Sequence, residues 1–499
     1  MDLEGMAGAY DVIVVGGGNA ALCAALAAHE QGASVLMLEA APEAERGGNS
    51  RFTAGAMRVA YNGVDDLTRL MPDLSEEEKA QADFGAYPQD QFYDDLCRVT
   101  QYRTDPRLAE TLVAQSFETM LWMRDRGIRF VPMYGRQAFK IDERFKFWGG
   151  LTVEAWGGGP GLVDSLYAIA ARAGIEVRYA SRARELIIDD DGVRGVALRT
   201  QGRAAVVPAK AVVLASGGFE ANAEWRTRYL GPGWDLAKVR GTRFNTGDGL
   251  AMALAAGAMP FGNWSGCHAV GWDRNAPEFG DLSVGDGFQK HSYPLGIMVN
   301  ARGRRFVDEG ADFRNYTYAK YGRAILEQPA QFAWQVFDHK VTHLLRDEYR
   351  LKRVTRVSAE TLEELARKLE DVDGAGFLAE VGAYNSAVQT GIPFNPNIKD
   401  GRCTRGLPVE KSNWANRLDA PPFEAYAVTC GITFTFGGLR IDDAGAVINT
   451  DGAAIRGLYA AGELVGGLFY FNYPGGTGLM SGSVFGRIAG NSAGRAARG

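Results

Sequence analysis

The chain has 499 residues, a formal net charge of −6 and 46% hydrophobic residues, enough for a large core and two domains. Charged residues make up 23%, an ordinary globular share that excludes wholesale disorder. The acidic balance, without any Lys/Arg block, excludes nucleic acid as the expected partner.

The first residues, MDLEGMAGAYDVIVVGGG, have no basic segment and no long apolar run, so no leader is expected. No apolar stretch of about 18 residues occurs, so no transmembrane helix is expected either. The five cysteines, Cys23, Cys97, Cys267, Cys403 and Cys430, are scattered. That spacing fits neither an iron–sulfur cluster, nor attached haem, nor a zinc site, so metal is expected to be absent. A reducing, cytoplasmic location follows as the expectation.

Residues 11–15 (DVIVV) predict a buried strand, 19–31 a helix ended by Gly32, and 34–39 (SVLMLE) a second strand. Helices are predicted at 106–127 and 161–174, and a strand at 176–179. A strand pair follows at 184–199 about Asp190–Gly192, then an apolar strand at 211–215. From about 263 the sequence turns aromatic and irregular, with a helix near 358–370. The strand–glycine pattern returns at 457–462, and 480–496 predicts a terminal helix. The fold class is therefore α/β: a discontinuous Rossmann-like dinucleotide domain with an inserted α+β capping domain. Residues 1–262 and 435–499 would build the first, and 263–434 the cap.

Gly16, Gly18 and Ala21 fit G-x-G-x-x-G/A between strand and helix. Gly16 permits the tight turn, Gly18 lets a pyrophosphate approach, and Ala21 lets helix and strand pack closely. With Asn19 and Ala20 they open a helix whose free N–H groups favour a diphosphate. Glu39, followed by Ala40, closes the second strand where an acid would hold a ribose. Gly47, Gly48, Asn49 and Ser50 then offer small and hydrogen-bonding residues beside a flavin. The distant return GLYAAGELVGG, with Glu463, is one that an NAD domain does not need. Together these features point to FAD.

With these motifs the chain resembles the fumarate reductase/succinate dehydrogenase flavoprotein superfamily, and within it the tricarballylate dehydrogenases. The resemblance rests on residues 15–29, RGGNS (46–50), ASGGFEAN (215–222), TGDG (246–249), VNARGRRFVDE (299–309), GITFTFGGLRID (431–442) and the block 457–490. It implies that Asn49 and Ser50 lie along the isoalloxazine and that Ala183 contacts adenine. Asp248 would support the flavin side, and Glu463 the ribityl or ribose hydroxyls. Gly478 and Leu479, opening the last helix, would face the flavin's pyrimidine carbonyl. Some relatives attach flavin through a histidine near the N-terminal glycines; here the stretch is NSRFT, so non-covalent FAD is expected.

The resemblance also implies Arg314 as the proton-transfer residue, although its register is one residue long, and His268 as a carboxylate ligand. Fumarate reductases carry an arginine where this chain has Tyr473, and a histidine pair where it has Thr433 and Phe434. Tyr473 is shared in form with ketosteroid dehydrogenases and would donate its O–H to an activating oxygen. Phe469, Tyr470, Phe471, Trp148 and Trp156 would make the pocket aromatic. The expected reaction is α,β-dehydrogenation of a carboxylate of tricarballylate or succinate type, or the reverse, with a separate electron acceptor. Two alternatives stay open: a ketone desaturase using Tyr473, and a non-catalytic electron-relay flavoprotein.

Overall fold

The computed structural model describes residues 10–200 and 202–499. The first nine residues, where no leader was expected, and residue 201 lie outside the described residues.

Strand Tyr10–Val15 is central to the main sheet, and Val12, Ile13 and Val14 are fully enclosed. A parallel strand is covered on both faces, which is why it is an unbroken β-branched run. It lies between Val35–Leu38 and Arg203–Leu214, both parallel to it. Glu176–Arg178 extends one edge, and Ala454–Ala460 joins beside Arg203–Leu214. The chain thus leaves this sheet and returns to it near its C-terminus. Arg203–Leu214 is longer than the predicted 211–215, because its first half pairs antiparallel with Gly192–Thr200. That strand pairs in turn with Ser181–Asp189.

Helix Asn19–Glu30 packs along the terminal helix Thr477–Arg498. The contact is backbone-close. A Cβ on Gly486 would stand 2.5 Å from Ala20 O, one on Gly494 2.9 Å from Ala28 O, and one on Gly490 would run into Ala24 O. Glycine on one helix facing alanine on the other explains the Ala-rich 19–31 segment and fixes the dinucleotide turn against the terminal helix. Gly490→Val should therefore cost about 1–3 kcal/mol of stability by overpacking. An unchanged thermal midpoint would contradict this packing.

The second sheet is organised by the long strand Phe423–Leu439. Pro260–Asp273, Phe332–Phe337 and Arg356–Ala359 pair with it antiparallel. The expected boundaries at 263 and 434 fall inside the strands Pro260–Asp273 and Phe423–Leu439. The predicted helix at 358–370 is instead strand Arg356–Ala359 and a helix Leu362–Lys368 capped by Thr361. Thr361 accepts the Glu364 N–H, which sets the helix start later than the apolar pattern suggested.

Residues 56–155 hold two small sheets that the sequence pattern did not suggest. Their strands are only a few residues long, too short for a period to show. Helix Pro106–Asp125 supports them, with Asp105 capping two N–H groups and Pro106 at its first position. This region brings Arg58, Arg136 and Trp148 towards the cap.

Candidate active site

One long cavity of about 210 Å³ runs between the two sheets. At one end lies the turn from the first strand into helix Asn19–Glu30. Gly16 has φ +122° there, and a Cβ on it would collide with Ala215 O. A Cβ on Gly17, outside the fingerprint, would strike Glu39 and Tyr167. A Cβ on Gly18 meets only Ser50 Oγ at 3.4 Å and Gly47 O at 3.6 Å. Gly18→Val should therefore fold normally yet bind no FAD, since its branches would enter the space a diphosphate needs. Wild-type flavin content after purification would contradict the placement.

Glu39 accepts the Ala41 N–H at 2.8 Å and is buried. Burial raises its carboxyl, and the N–H groups of Ala41, Gly47 and Ala40 pull it back. Ala40, Gly48 and Ala183 line the cavity beside it. Asp248 pairs with Arg182 at 3.2 Å and Arg184 at 3.5 Å, the residues flanking Ala183. It therefore stands at the Glu39 end, not at the far end where the flavin side was expected. Asn19 is also used differently. Its side chain donates to Leu479 O at 2.9 Å and Ser483 Oγ at 3.0 Å, so it ties two helices and only its backbone faces the cavity. The Asn19 N–H donates to Ser50 Oγ at 3.0 Å.

Midway, Asn49 donates to Glu220 Oε1 and Thr433 O, both at 2.6 Å, and accepts the Thr242 N–H at 2.8 Å. Glu463 accepts the Thr435 N–H at 2.7 Å. Burial raises the carboxyls of both Glu220 and Glu463, and the charge of Glu463 raises Glu220 further. Two such groups in one dry site disfavour each other's charged form. Glu220 carried no expectation; only its place in ASGGFEAN could have flagged it.

At the far end the terminal helix begins. A Cβ on Gly478 would stand 3.6 Å from Phe434 and 3.8 Å from Tyr473, and Leu479 lines the same cavity. Tyr473 is buried, and its hydroxyl is hydrogen-bonded to that of Tyr318. The His268 ring lies 4.7 Å from Tyr473 and 4.8 Å from Tyr318. A register shift between His268 and Ala269 bends the strand there. His291 lies 4.8 Å from Tyr318, and the Arg314 guanidinium 5.5 Å from the same ring. Arg314 donates to Arg136 O at 3.1 Å, and among the described residues it has no ion pair. Arg136 and Arg240 share Asp286, at 2.8 and 2.5 Å.

Burial raises Tyr318, and raises Tyr473 well above the usual phenol range. Burial, with Arg240 for His268 and Arg314 for His291, holds both imidazoles well below their ordinary value. At neutral pH the cluster therefore presents two phenols and two neutral imidazoles. Both ring nitrogens of each histidine, and Arg314 Nε, are buried without a protein partner. Tyr318 was one of the tyrosines near Arg314, at 316, 318 and 321, held as alternative proton carriers; His291, Arg136 and Arg240 had not been singled out for the site. No local motif surrounds them: His291 and Tyr318 come from the cap segment, and Arg136 and Arg240 from earlier in the chain.

The aromatic lining also differs from expectation. Phe469 and Phe434 line the cavity, but Phe471 is 47% and Trp156 59% exposed. Phe471 sits at φ 62°, which turns it outward, and Trp156 lies under Arg129 on the surface. Tyr470 does not line the cavity, and Trp148 belongs to a neighbouring one. Among the described residues no cluster of His, Cys, Asp or Glu could hold a metal ion, and no helix is long and apolar enough to cross a membrane.

A family model described as an FAD binding domain matches residues 11–479. The chain is 30% identical to a probable fumarate reductase of Shewanella frigidimarina (strain NCIMB 400), over 97% of this chain and 74% of that protein. It is 30% identical to an NADH:fumarate oxidoreductase of Klebsiella pneumoniae (strain 342), over 98% of this chain. It spans about half, 48%, of that protein's length. The open conformation of a flavocytochrome c3 fumarate reductase superposes with a TM-score of 0.73 at 27% identity, covering 99% of this chain and 79% of that one.

Proposed function

Because the chain belongs to the fumarate reductase/succinate dehydrogenase flavoprotein superfamily and is an FAD-dependent oxidoreductase, we propose that it interconverts a carbon–carbon single and double bond beside a carboxylate. The cavity suits the cofactor. Gly16, Gly18 and the start of helix Asn19–Glu30 would hold the diphosphate, Glu39 a ribose, and Ala183 the adenine. Glu463 would hold the hydroxyls between, with Asn49, Ser50, Gly478 and Leu479 beside the ring. We take the FAD to be non-covalent: no cysteine lines the cavity among the described residues, and its histidines belong to the Tyr318–Tyr473 cluster. Glu39→Ala should weaken FAD binding about tenfold or more, the worth of a hydrogen bond to a charged group. Equal occupancy of variant and wild type at limiting FAD would argue against this placement.

One observation carries the choice of a carboxylate. At the far end of the cavity Arg136 and Arg240 share Asp286, and among the described residues Arg314 has no ion pair. Three guanidiniums therefore line this end with one carboxylate, Asp286, beside them. An anionic substrate supplies the missing charge, and buried guanidinium–carboxylate contacts are strong and directional. Loss of the arginine and histidine pair seen in fumarate reductases is therefore offset from other segments.

When bound, FAD supplies the hydride for reduction or accepts it in dehydrogenation. The protein's residues do the rest. Arg314 fixes the carboxylate and stabilises the charge that gathers on it as the adjacent bond changes order. The Tyr318–Tyr473 pair holds the proton for the carbon next to the one that exchanges hydride. Tyr473 stands 3.8 Å from where a Cβ on Gly478 would lie at the helix start, whereas Arg314 lies beyond, over the Tyr318 ring. In reduction the carbon gains one hydride and its neighbour one proton; dehydrogenation returns both. The aromatic walls and the dry cluster exclude water. A separate redox carrier exchanges electrons with the flavin, since the cysteine spacing offers no cluster or haem attachment.

A second reading keeps the ketone desaturase. The paired hydroxyls of Tyr318 and Tyr473 are ready donors to a ketone oxygen. The two readings part in an anaerobic screen: saturated carboxylic acids bleach the flavin under the first, cyclic ketones under the second.

A further inference from the structure

A second cavity opens behind Arg314 and His291, which line both it and the main one. Its character differs. Trp148 stacks on Phe313 with ring centroids 5.0 Å apart and planes at 17°, and Phe139 stacks on the other side of Trp148 at 6.4 Å. Trp414 continues the wall at 5.7 Å from Phe313. Leu344 lines the cavity as well.

Several polar atoms there lack partners. The donors Trp148 Nε1, Arg314 Nε and Arg346 Nη1 are buried without a hydrogen bond, as are both nitrogens of the neutral His291, one a donor and one an acceptor. Arg346 pairs with Glu348 at 3.9 Å, whose Oε1 is also without a hydrogen bond. A core built for packing alone would not leave several donors unsatisfied beside a stacked aromatic wall. A binding chamber would: an apolar wall takes area, and a few placed polar groups fix orientation. A small dicarboxylate would not use such a wall. A planar ring would, since aromatic faces prefer offset or edge contact with one another.

We propose that this second chamber receives an aromatic ring carried by the substrate, so that the substrate class is a ring-bearing carboxylate whose anion meets Arg314 on the main-cavity side. The proposal rests on the carboxylate reading above and deepens it. The reacting bond stays beside Tyr318 and Tyr473, and the ring passes between His291 and Arg314.

The test uses FAD-loaded protein and calorimetric titration of two saturated acids, 3-phenylpropanoate and propanoate. The phenyl compound should bind at least about tenfold more tightly, the lower end of what burying a phenyl group contributes. Leu344→Trp, which fills the chamber, should abolish most of that difference; Leu344→Phe serves if the larger residue does not fold. In parallel, dithionite-reduced protein is mixed with 3-phenylpropenoate and propenoate. The phenyl compound should reoxidise the flavin with the higher kcat/KM. Equal binding of the two acids would overturn the chamber, and so would a phenyl preference that survives both filling variants. If the binding difference holds and responds to Leu344 while neither propenoate reoxidises the flavin, the chamber stands and the reaction reading fails.

Discussion

Tyr318→Phe should slow turnover by about 100- to 10,000-fold, the usual contribution of a positioned proton donor, while FAD remains bound. The ring stays, so packing against His268 and His291 is kept. Only the hydroxyl that meets Tyr473 is lost. Burial raises both phenols, so each is fully protonated at neutral pH and fit to give a proton in the reducing direction. Tyr473→Phe tests the partner. If Tyr473 donates to developing charge, its loss costs about 2.7–4 kcal/mol in the barrier, or roughly 100- to 1,000-fold in rate. Either change leaves one buried hydroxyl unpaired, at about 1–3 kcal/mol of stability, so thermal midpoints must be measured beside the rates. Near-normal turnover in both variants would remove the pair from the chemistry.

Arg314→Gln should raise KM for a carboxylate substrate by about tenfold to 100-fold, in line with roughly 1.5–3 kcal/mol for a charged hydrogen bond. A neutral ketone should be indifferent. Arg314→Lys separates anchor from proton carrier. Lysine keeps the charge but not the planar fork. If Arg314 itself moves the proton, Arg314→Lys should lower kcat by about 100-fold or more at saturating substrate. If it anchors the carboxylate, the loss falls mainly on KM. The comparison is clean because, among the described residues, the Arg314 side chain makes one hydrogen bond, to Arg136 O.

The glycine turn at one end of the cavity was legible in the sequence because its determinants are local. Gly16 and Gly18 follow a buried strand and precede an alanine-rich helix, so spacing alone conveys the turn. The reacting end was not legible in the same way. Tyr318, His291, Arg136 and Arg240 come from separate segments, two within the cap and two before it, and meet only in the folded chain. His268, Arg314 and Tyr473 were reached through the resemblance, and the structure brings them to one wall. Asp248 was expected on the flavin side because its motif, TGDG, says nothing of distance along the cofactor; its ion pairs with Arg182 and Arg184 decide its place. Trp156 and Phe471 are aromatic but exposed, which composition cannot reveal. Glu220 and Gly17 act through close contacts that a spacing pattern does not encode.

The central claim is that bound flavin exchanges hydride with a carbon–carbon bond activated by a carboxylate. The most direct test is anaerobic stopped-flow mixing of dithionite-reduced protein with unsaturated carboxylates and, separately, with cyclic enones. Rapid return of oxidised flavin absorbance with a carboxylate, lost in Tyr318→Phe and weakened in Arg314→Gln, is the predicted result. Reoxidation by enones alone, or by no unsaturated carboxylate at any concentration, would contradict it.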